Sequence, residues 1–314
     1  MLAHEGDWHW VRNWGQYDAY VNHDQIMTVI RATRSHFRFY MNNRNEPFDN
    51  VRVRQAIFMG IDREAAIQIL QDGHGSLGFV MPPGSQWTVD EATGCAVPGW
   101  CPPEDMEAQR AEARQILEEE GFDFSKVYLF TVENDAQVVA RSTFLQEQLR
   151  LLGIQTEFDL VENIAYDNMQ FEGTWGDFNP GNATMPQDDP FLGMGAYFHS
   201  DNRGGNLWQP APAASFVPLQ EQIDDLLAQT AATVDPVERK AISQELELLI
   251  MKNYIRFSVY WEQEAVAFWP EVRGYVHFPQ PHSTHIRFEQ VWIDPAHAND
   301  TGFSGQTTGL PGGL

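Results

Sequence analysis

The sequence has little that suggests a membrane. Its longest apolar runs, at 127–132 and 248–251, are far shorter than the ~20 residues that a transmembrane helix needs. The first residues, MLAHEGD, lack the basic start and the apolar stretch of a secretory signal. We therefore expect no membrane span, and we expect an export signal to be missing from this chain.

Basic residues are scarce. The chain has 20 Lys and Arg against 44 Asp and Glu, which gives a formal net charge of -24. Such a charge repels nucleic-acid phosphates and anionic lipids, so we predict no nucleic-acid partner. A neutral or cationic ligand suits this field, but an acidic surface that only keeps the protein soluble explains the charge as well.

Cysteine is limited to Cys95 and Cys101, which flank a short loop that contains Pro98. The spacing fits neither a C-x-x-C redox motif nor a zinc site with a second pair of ligands. We therefore favour a disulfide, formed in an oxidising compartment, over two free thiols.

The short signatures of several enzyme classes are absent. There is no GxxxxGK[ST] loop, no GxSxG elbow and no HExxH pair. Residues 73–78 spell GxGxxG, but they follow a predicted helix and precede prolines, which argues against dinucleotide binding. His282 and His285 lie in a proline-containing stretch and fit surface histidines better than metal ligands. We predict no enzyme, cofactor or metal; a glycoside hydrolase is a weak alternative that rests only on the abundance of carboxylates.

The chain is long and apolar enough to fold around a core, with 314 residues of which 43% are hydrophobic. Alternating residues predict two strands, at 25–31 and 36–42. A pair of helices should follow, one capped by Asp49 and one running from Asp62 to Asp72.

The next part of the chain predicts an α/β layer. A helix at 106–120, a strand at 127–132, a second helix and a strand at 154–160 follow one another, and this order favours parallel strands. The second helix carries Val138, Leu145, Leu149 and Leu152 on one side. Further on, we predict a helix at 219–230, a helix that Asp235 caps, and a strand at 255–261.

Two long stretches, at 75–103 and 163–218, lack a sustained period and are predicted to be irregular. In the second, Trp175 and Trp208 are the preferred ligand contacts, because planar rings stack on sugars and on ligand side chains. The alternative is that both rings pack beneath the loops.

Asp188 and Asp189 precede Pro190 and fit a helix cap, with ligand contact as the second option. Asn182 completes the candidate ligand-binding set.

A longer pattern resembles a known family. FYMNNRNEPFDNVRVRQAI at 39–57 and GIDRE at 60–64 are similar to a segment of the family 5 extracytoplasmic solute-binding proteins, the peptide/nickel-type receptors of ABC importers. The similarity covers about residues 6–294. Further matches occur in the family's order: ARQILEEEG at 113–121, LQEQLRLLGI at 145–154, GDFN at 176–179, DPVER at 235–239 and VRGY at 272–275.

The resemblance implies a periplasmic-binding-protein-like α/β fold of the type II, clam-shell kind, in which two lobes close over a ligand. We expect one complete ligand-binding lobe at 41–262, with 1–40 and a return segment at 263–301 in a partial second lobe. Residues 302–314 should form a disordered tail. The expected protein is a periplasmic or otherwise extracytoplasmic monomer that captures an oligopeptide or similar small polar solute and delivers it to the permease subunits of an ABC transporter.

The resemblance also bears on the ligand. In peptide-binding members, an Asp four residues before the Pro of the Asp-Pro-like segment receives the peptide amine, but Pro186 stands at that position here. Asp188 or Asp189 is a nearby substitute. No Lys or Arg lies between Arg150 and Arg203 to receive a carboxylate. An oligosaccharide-binding receptor of the same family therefore stays open as an alternative.

Overall fold

The computed structural model describes residues 6–11, 13–202, 217–275 and 291–294. Its main sheet has seven strands in the order β1-β7-β2-β6-β4-β5, with β3 paired to β7. The strands of this sheet are β1 (Trp8–Val11), β2 (Met27–Met41), β3 (Gly75–Ser76), β4 (Val127–Glu133), β5 (Gln155–Val161), β6 (Phe178–Thr184) and β7 (Phe257–Phe268).

Helices flank this sheet, and a two-stranded sheet of β8 (Val272–Arg273) and β9 (Trp292–Ile293) lies beside it in the described chain. Pro190–Met194 forms a short π-helical turn. The helices are α1 (Trp14–Val21), α2 (Val51–Met59), α3 (Arg63–Gln71), α4 (Glu91–Cys95), α5 (Met106–Glu119), α6 (Ala136–Leu151), α7 (Asn163–Glu172), α8 (Gly195–Phe198), α9 (Val217–Ala232) and α10 (Pro236–Lys252). None of them, within the described residues, combines the length and apolarity that crossing a bilayer requires.

The predicted α/β layer is confirmed. β4 and β5 pair in parallel over their whole length, and α6 connects them. On α6, Val138, Leu145 and Leu149 are buried, as their helical spacing predicts. The fold is a mixed α/β fold with antiparallel strands on one side of this parallel unit.

Most predicted helix starts are confirmed by capping hydrogen bonds. The carboxylate of Asp62 accepts from the amide of Ala65, and that of Asp235 accepts from two amides of α10. The cap predicted for α2 is wrong: Asn50, and not Asp49, accepts from the Arg52 amide at 2.9 Å. Asn50 directly precedes the first helical residue, which is the position of a cap.

Two predictions about strands also need correction. The strands predicted at 25–31 and 36–42 are one strand, β2, because a register shift between Ala32 and His36 absorbs the break as a bulge. The stretch 163–218, predicted to be irregular, contains α7 and β6. β6 has the sequence FNPGNAT and pairs with seven residues of β2. Its Pro and Gly are unfavourable in strands, so the sequence pattern does not predict a strand here.

The buried apolar residues form three clusters. The large one contains Phe39, Phe130, Phe178 and Phe257 with residues of α2, α5, α6, α9 and α10. Two smaller clusters lie along the last part of β7, one with Val11, Trp14 and Tyr20 and one around Val266, Phe268 and Val272. β7 therefore runs from the large core at its start to separate small cores at its end.

Two buried charges hold the long segment 75–103. Arg63 donates to the carbonyl oxygens of Gly78 and Trp100 in this segment, at 2.8 and 2.5 Å, and to two carbonyls of β7. Glu247 of α10 accepts from the amides of Met81 and Val89, both at 2.7 Å. Burial lowers the pKa of Arg63 to about 9 and raises the pKa of Glu247 to about 7. Backbone groups therefore replace the water that both charges lose.

The same segment contains the disulfide of Cys95 with Cys101. Between the two cysteines lies Trp100, which is 1% exposed and whose indole N–H donates to the carbonyl of Met251. The disulfide thus closes a small loop whose tryptophan is inserted into the core.

We predict that Glu247→Gln changes how stability depends on pH. The pKa of Glu247 is about 7, against 4.5 for an ordinary glutamate, so the folded state keeps a proton that the unfolded state has lost between these values. The stability from this proton is fully present below pH 4.5 and is lost as the pH rises through 7. Compared with the Gln variant, the wild-type free energy of unfolding should fall by about 3 kcal/mol across this range.

Denaturant unfolding of both proteins at about pH 5 and about pH 8 measures this difference. The Gln variant also loses an acceptor for one backbone amide, but that loss gives the same offset at both pH values. A wild-type-minus-variant difference that stays constant with pH contradicts the raised pKa.

A second prediction concerns two arginines of α2. Arg54 is 2% exposed and donates to the carbonyls of Phe48, Asp49 and Asn253. A lysine cannot reach these three acceptors with one ammonium group, so Arg54→Lys should lower the free energy of unfolding by about 2 kcal/mol or more. Arg52→Lys is the matched control, since its side chain is 45% exposed, and should change stability by less than about 0.5 kcal/mol. Equal effects of the two substitutions on denaturant midpoints contradict the claim that the hydrogen bonds of Arg54 to three carbonyl groups stabilise the fold.

Candidate functional site

A pocket of about 220 Å³ lies where β7 passes from the large core to the small ones. Its walls come from β1 and α1 on one side and from α6 and β6 on the other, with β7 between them. The lining residues are Trp10, Val11, Asn13, Trp14, Gln71, Gln137, Arg141, Asn182, Glu262, Gln263, Glu264 and Ala265.

Sheet register brings the polar residues of this pocket together. Asn182 of β6 stands opposite Phe37 of β2, and Phe37 stands opposite Tyr260 of β7. Arg141 projects from α6 with its guanidinium 5.5 Å from the centre of the Phe37 ring. The next residue of β7 on the side of Tyr260 is Glu262. Three strands and one helix therefore converge at one place.

Arg141 is paired on both sides. Its Nη2 lies 2.7 Å from Oε1 of Glu262, and its Nη1 donates to Oδ1 of Asn182. The side chains of Arg141 and Glu262 are only 6% and 18% exposed, so solvent screens this ion pair much less than a surface pair. The pocket therefore contains a fixed positive and a fixed negative charge in contact.

A bulge in β2 sets the position of Glu262. Between Ala32 and His36 the register with β7 shifts, and Glu262 lies opposite this shift. The hydroxyl of Thr33 donates to the carbonyl of Glu262 at 3.0 Å and accepts from the amide of Ser35 at 3.0 Å. Bulges redirect side chains at functional sites, and this one fixes the backbone that carries the pocket carboxylate.

Tryptophans form the opposite wall. The ring of Trp14 stacks on His74 with a centroid distance of 3.8 Å, and its indole N–H donates to Gln71 at 3.2 Å. Trp10 is 39% exposed. This wall therefore presents two indole rings to the pocket, one stacked on a histidine and one partly exposed.

The structure places the ligand-binding residues predicted from the sequence in different surroundings. Asn182 lines the pocket. Trp175 is 3% exposed and packs in the large core, as the alternative interpretation expected, and not at the pocket. Trp208 lies outside the described residues.

Asp188 and Asp189 have local partners. Asp188 accepts from the hydroxyl of Ser85, and its carbonyl accepts from the indole of Trp87. Asp189 caps the turn that begins at Pro190, as predicted, and also pairs with Arg239 at 2.8 Å. A ligand role for either carboxylate stays a prediction.

Sequence reasoning missed Arg141, Glu262 and Trp14. Arg141 lies three residues after Val138 and four before Leu145, which places a charge on the buried stripe of α6. A charge in that position needs a buried partner, and this is the signal that was available. Nothing in the local sequence identifies Glu262 as the partner, because the sheet register brings it there.

A larger groove of about 630 Å³ lies between α9 and α10. Its walls are helix-surface residues such as Asp225, Gln229 and Glu245, and within the described part of the chain no aromatic ring or buried ion pair lines it. We therefore assign the functional site to the smaller pocket. Among the described residues, no group of three or more His, Cys, Asp and Glu side chains is arranged to hold a metal.

Comparison with known proteins identifies the family. A sequence model for the middle region of the bacterial extracellular solute-binding proteins, family 5, matches residues 1–205, well over half of the chain. The chain belongs to this family. Family 5 is a non-enzymatic family of solute-binding proteins, so the prediction that this chain is not an enzyme is confirmed.

Individual relatives are distant in sequence. The probable D,D-dipeptide-binding periplasmic protein DdpA of Escherichia coli K12 is 22% identical over 240 residues, which are 76% of this chain and 43% of that protein. The glutathione-binding protein GsiB of Salmonella paratyphi A is 24% identical over 221 residues, which are 68% of this chain and 40% of that protein.

Solved structures of other binding proteins share the fold. The dipeptide-binding protein of Pseudoalteromonas sp. SM9913, in complex with Met-Leu, superposes with a TM-score of 0.73 at 18% identity, over 93% of this chain and 55% of that chain. The predicted periplasmic-binding-protein-like fold is therefore confirmed. This chain spans about half, or less, of the length of these relatives.

The different surroundings of two tryptophans give a prediction. Trp175→Ala empties a site in the large core and should lower the free energy of unfolding by about 3–5 kcal/mol. Trp10→Ala removes a ring that is 39% exposed and leaves no closed cavity, so it should cost less than Trp175→Ala, about 2 kcal/mol. Thermal or denaturant unfolding of the two variants measures both values. A small loss for Trp175→Ala contradicts its placement in the core.

Proposed function

We propose that this protein is the solute receptor of an ABC importer and that it captures a short peptide in the pocket around Arg141 and Glu262. The observation that carries the proposal is the pocket itself: in a family 5 chain, two opposite charges and two tryptophans meet where β7 leaves the large core. A peptide offers partners for each of these groups.

The polarity of the pocket supports a peptide. Five carboxamide side chains line it, and each has both donors and acceptors that match a peptide backbone. They are Asn13, Gln71, Gln137, Asn182 and Gln263. The names of the relatives point the same way, since DdpA is described as D,D-dipeptide-binding, GsiB as glutathione-binding, and the Pseudoalteromonas protein contains Met-Leu.

The proposed mechanism is closure around the ligand. The wall residues Trp10 and Trp14 belong to β1 and α1, whereas Arg141 and Asn182 belong to α6 and β6. β2 and β7 run through both parts of the sheet and change register between Ala32 and His36. We propose that the two parts hinge next to this shift, because a bulge bends a strand, while the Thr33 hydroxyl keeps the backbone of Glu262 in place. The predicted lobe limits, 41–262 with 1–40 and 263–301 in the second lobe, stay part of this proposal.

Delivery to membrane permease subunits, a monomeric state and a periplasmic location complete the proposal. The support for the location is that DdpA is described as a periplasmic protein. No covalent chemistry is involved, since closure and release alone transfer the solute.

Thermal unfolding in the presence of candidate solutes tests the proposal. Methionyl-leucine, glutathione and the oligosaccharide cellotriose are compared on the full chain. A peptide present at 100 times its dissociation constant should raise the free energy of unfolding by about 2.7 kcal/mol. Stabilisation by cellotriose alone favours the oligosaccharide alternative, and no stabilisation by either peptide contradicts the peptide proposal for this chain.

A further inference from the structure

The face of the sheet opposite the pocket carries a group of buried basic side chains. Phe37 of β2 lies on the pocket side, and side chains alternate along a strand, so Arg34, His36 and Arg38 point to the other side. Arg256, which directly precedes β7, joins them through a contact of its Nη2 with Nε2 of His36. All four residues are at most 6% exposed. We call these four residues the basic cluster.

Pairing with β6 keeps the members from β2 on one face. The register of β2 with β6 has no shift over Ser35–Met41, and the carbonyl of Arg34 extends the pairing by accepting from the Met185 amide at 2.8 Å. Gly181 of β6 leaves room for Arg38, since a Cβ at this glycine would lie 2.9 Å from Nη2 of the arginine. The backbone therefore fixes where these charges lie.

Two of the arginines are held in place by neutral groups. Arg38 donates to Oδ1 of Asn179 at 2.7 Å and to the carbonyl of Asn182 at 3.2 Å. The guanidinium of Arg256 lies 3.8 Å from the centre of the Tyr197 ring, on α8. These contacts orient both guanidinium groups and leave their positive charges unmatched.

The basic cluster differs from other buried arginines in what it lacks. Arg141 pairs with Glu262, and Arg63 donates to four carbonyl groups. In the described chain, by contrast, no arginine of the basic cluster is in an ion pair, and the buried Nε and Nη2 of Arg34 have no hydrogen-bond partner. A buried donor without an acceptor destabilises the fold, so these two N–H groups indicate an acceptor from outside the described chain.

His36 adds a donor and no charge. Burial, together with Arg256 and Arg38, lowers the pKa of His36 well below its usual value, although the carbonyl of Arg34 opposes the shift, so the ring is neutral. Its Nε2 faces a guanidinium, which can only donate, so we assign the ring proton to Nδ1. This Nδ1 is buried and makes no hydrogen bond. The free polar atoms of Arg34 and His36 are therefore all donors.

One carboxylate acts on the basic cluster from a distance. Burial lowers the pKa of Arg34, and the charge of Asp188 opposes this shift. The Asp188 carboxylate accepts from the hydroxyl of Ser85 at 2.5 Å, and within the described residues it forms no ion pair with Arg34. Three guanidinium charges and this one carboxylate leave a local charge of +2.

We propose that the basic cluster binds a divalent oxyanion, such as sulfate or hydrogen phosphate, on the face of the sheet opposite the solute pocket. A guanidinium matches an oxyanion because its N–H groups form a fork that two oxygens can accept from at once. An anion of charge -2 balances the local charge, and its oxygens supply the acceptors that Arg34 and His36 lack. This site does not depend on the proposed peptide function.

Isothermal titration of the full chain with sodium sulfate, phosphate and acetate at constant ionic strength tests the proposal. Sulfate and phosphate should bind with a dissociation constant of about 1 mM or below, and acetate at least about tenfold more weakly, because it carries one charge less. Millimolar salt is too dilute for the general stabilisation that excluded salts give. No binding of sulfate or phosphate up to about 10 mM overturns the proposal, as does an equal affinity for acetate.

Variants of Arg34 give the second test. Arg34→Met removes the charge and both free donors, and it should weaken sulfate binding at least about tenfold, whereas Arg34→Lys should retain part of the affinity. The matched control Arg52→Met changes an arginine that is 45% exposed and should leave the affinity unchanged. Equal affinities of Arg34→Met and Arg52→Met overturn the proposal.

Stability without the anion provides an independent measurement. In chloride alone, Arg34→Met should unfold at a denaturant midpoint no lower than that of the wild type, because it removes buried donors that have no acceptor. A clearly lower midpoint overturns the proposal, since it means that the protein itself already satisfies Arg34. Sulfate affinity that is unchanged by excess methionyl-leucine supports a site separate from the pocket, and a tenfold fall overturns it.

Discussion

The backbone of the segment 75–103 is held by two buried ionisable side chains, and this segment in turn contacts the chain that follows the pocket strand β6. Arg63 binds carbonyl groups of the segment and the Glu247 carboxyl group accepts from its amides, so main-chain groups replace the water that both side chains lose. The segment also carries Ser85 and Trp87, which both hydrogen-bond Asp188. Asp188 follows β6 and its pocket residue Asn182. One wall of the pocket is therefore connected, through an irregular stretch, to charges in the core.

The residues that reveal the family serve the fold more than the ligand. In the stretch that resembles family 5, Arg54 and Arg63 bind backbone carbonyls and Asp62 caps α3. Arg141 and Glu262, which meet in the pocket, lie outside the quoted motifs. This separation explains why the sequence identified a receptor family but not a solute. A shared scaffold fixes the sheet, and the side chains that line the pocket lie outside its signature.

The sequence predicted those parts of the fold whose cause is local. The helices α5, α6 and α10 follow from apolar spacing and from capping side chains, and the parallel pair β4–β5 follows from the order of elements. β6 was missed because Pro180 and Gly181 disfavour a strand unless a neighbour supplies the pairing. The pocket was missed for the same kind of reason: its residues come from β1, α6, β6 and β7, and only the strand register makes them neighbours.

The register shift in β2 also limits how the chain can vary in length. Ala32 pairs with Gln263 and His36 with Trp261, so β2 contains two more residues than β7 across the shift. A second shift, between Phe37 and Arg38, adds one residue to β7, so from Ala32 to Arg38 the strand β2 is one residue longer than the part of β7 that it faces. An insertion or deletion in one strand here would displace every later pair, including Phe39 with Phe257, unless the other strand changed by the same number of residues.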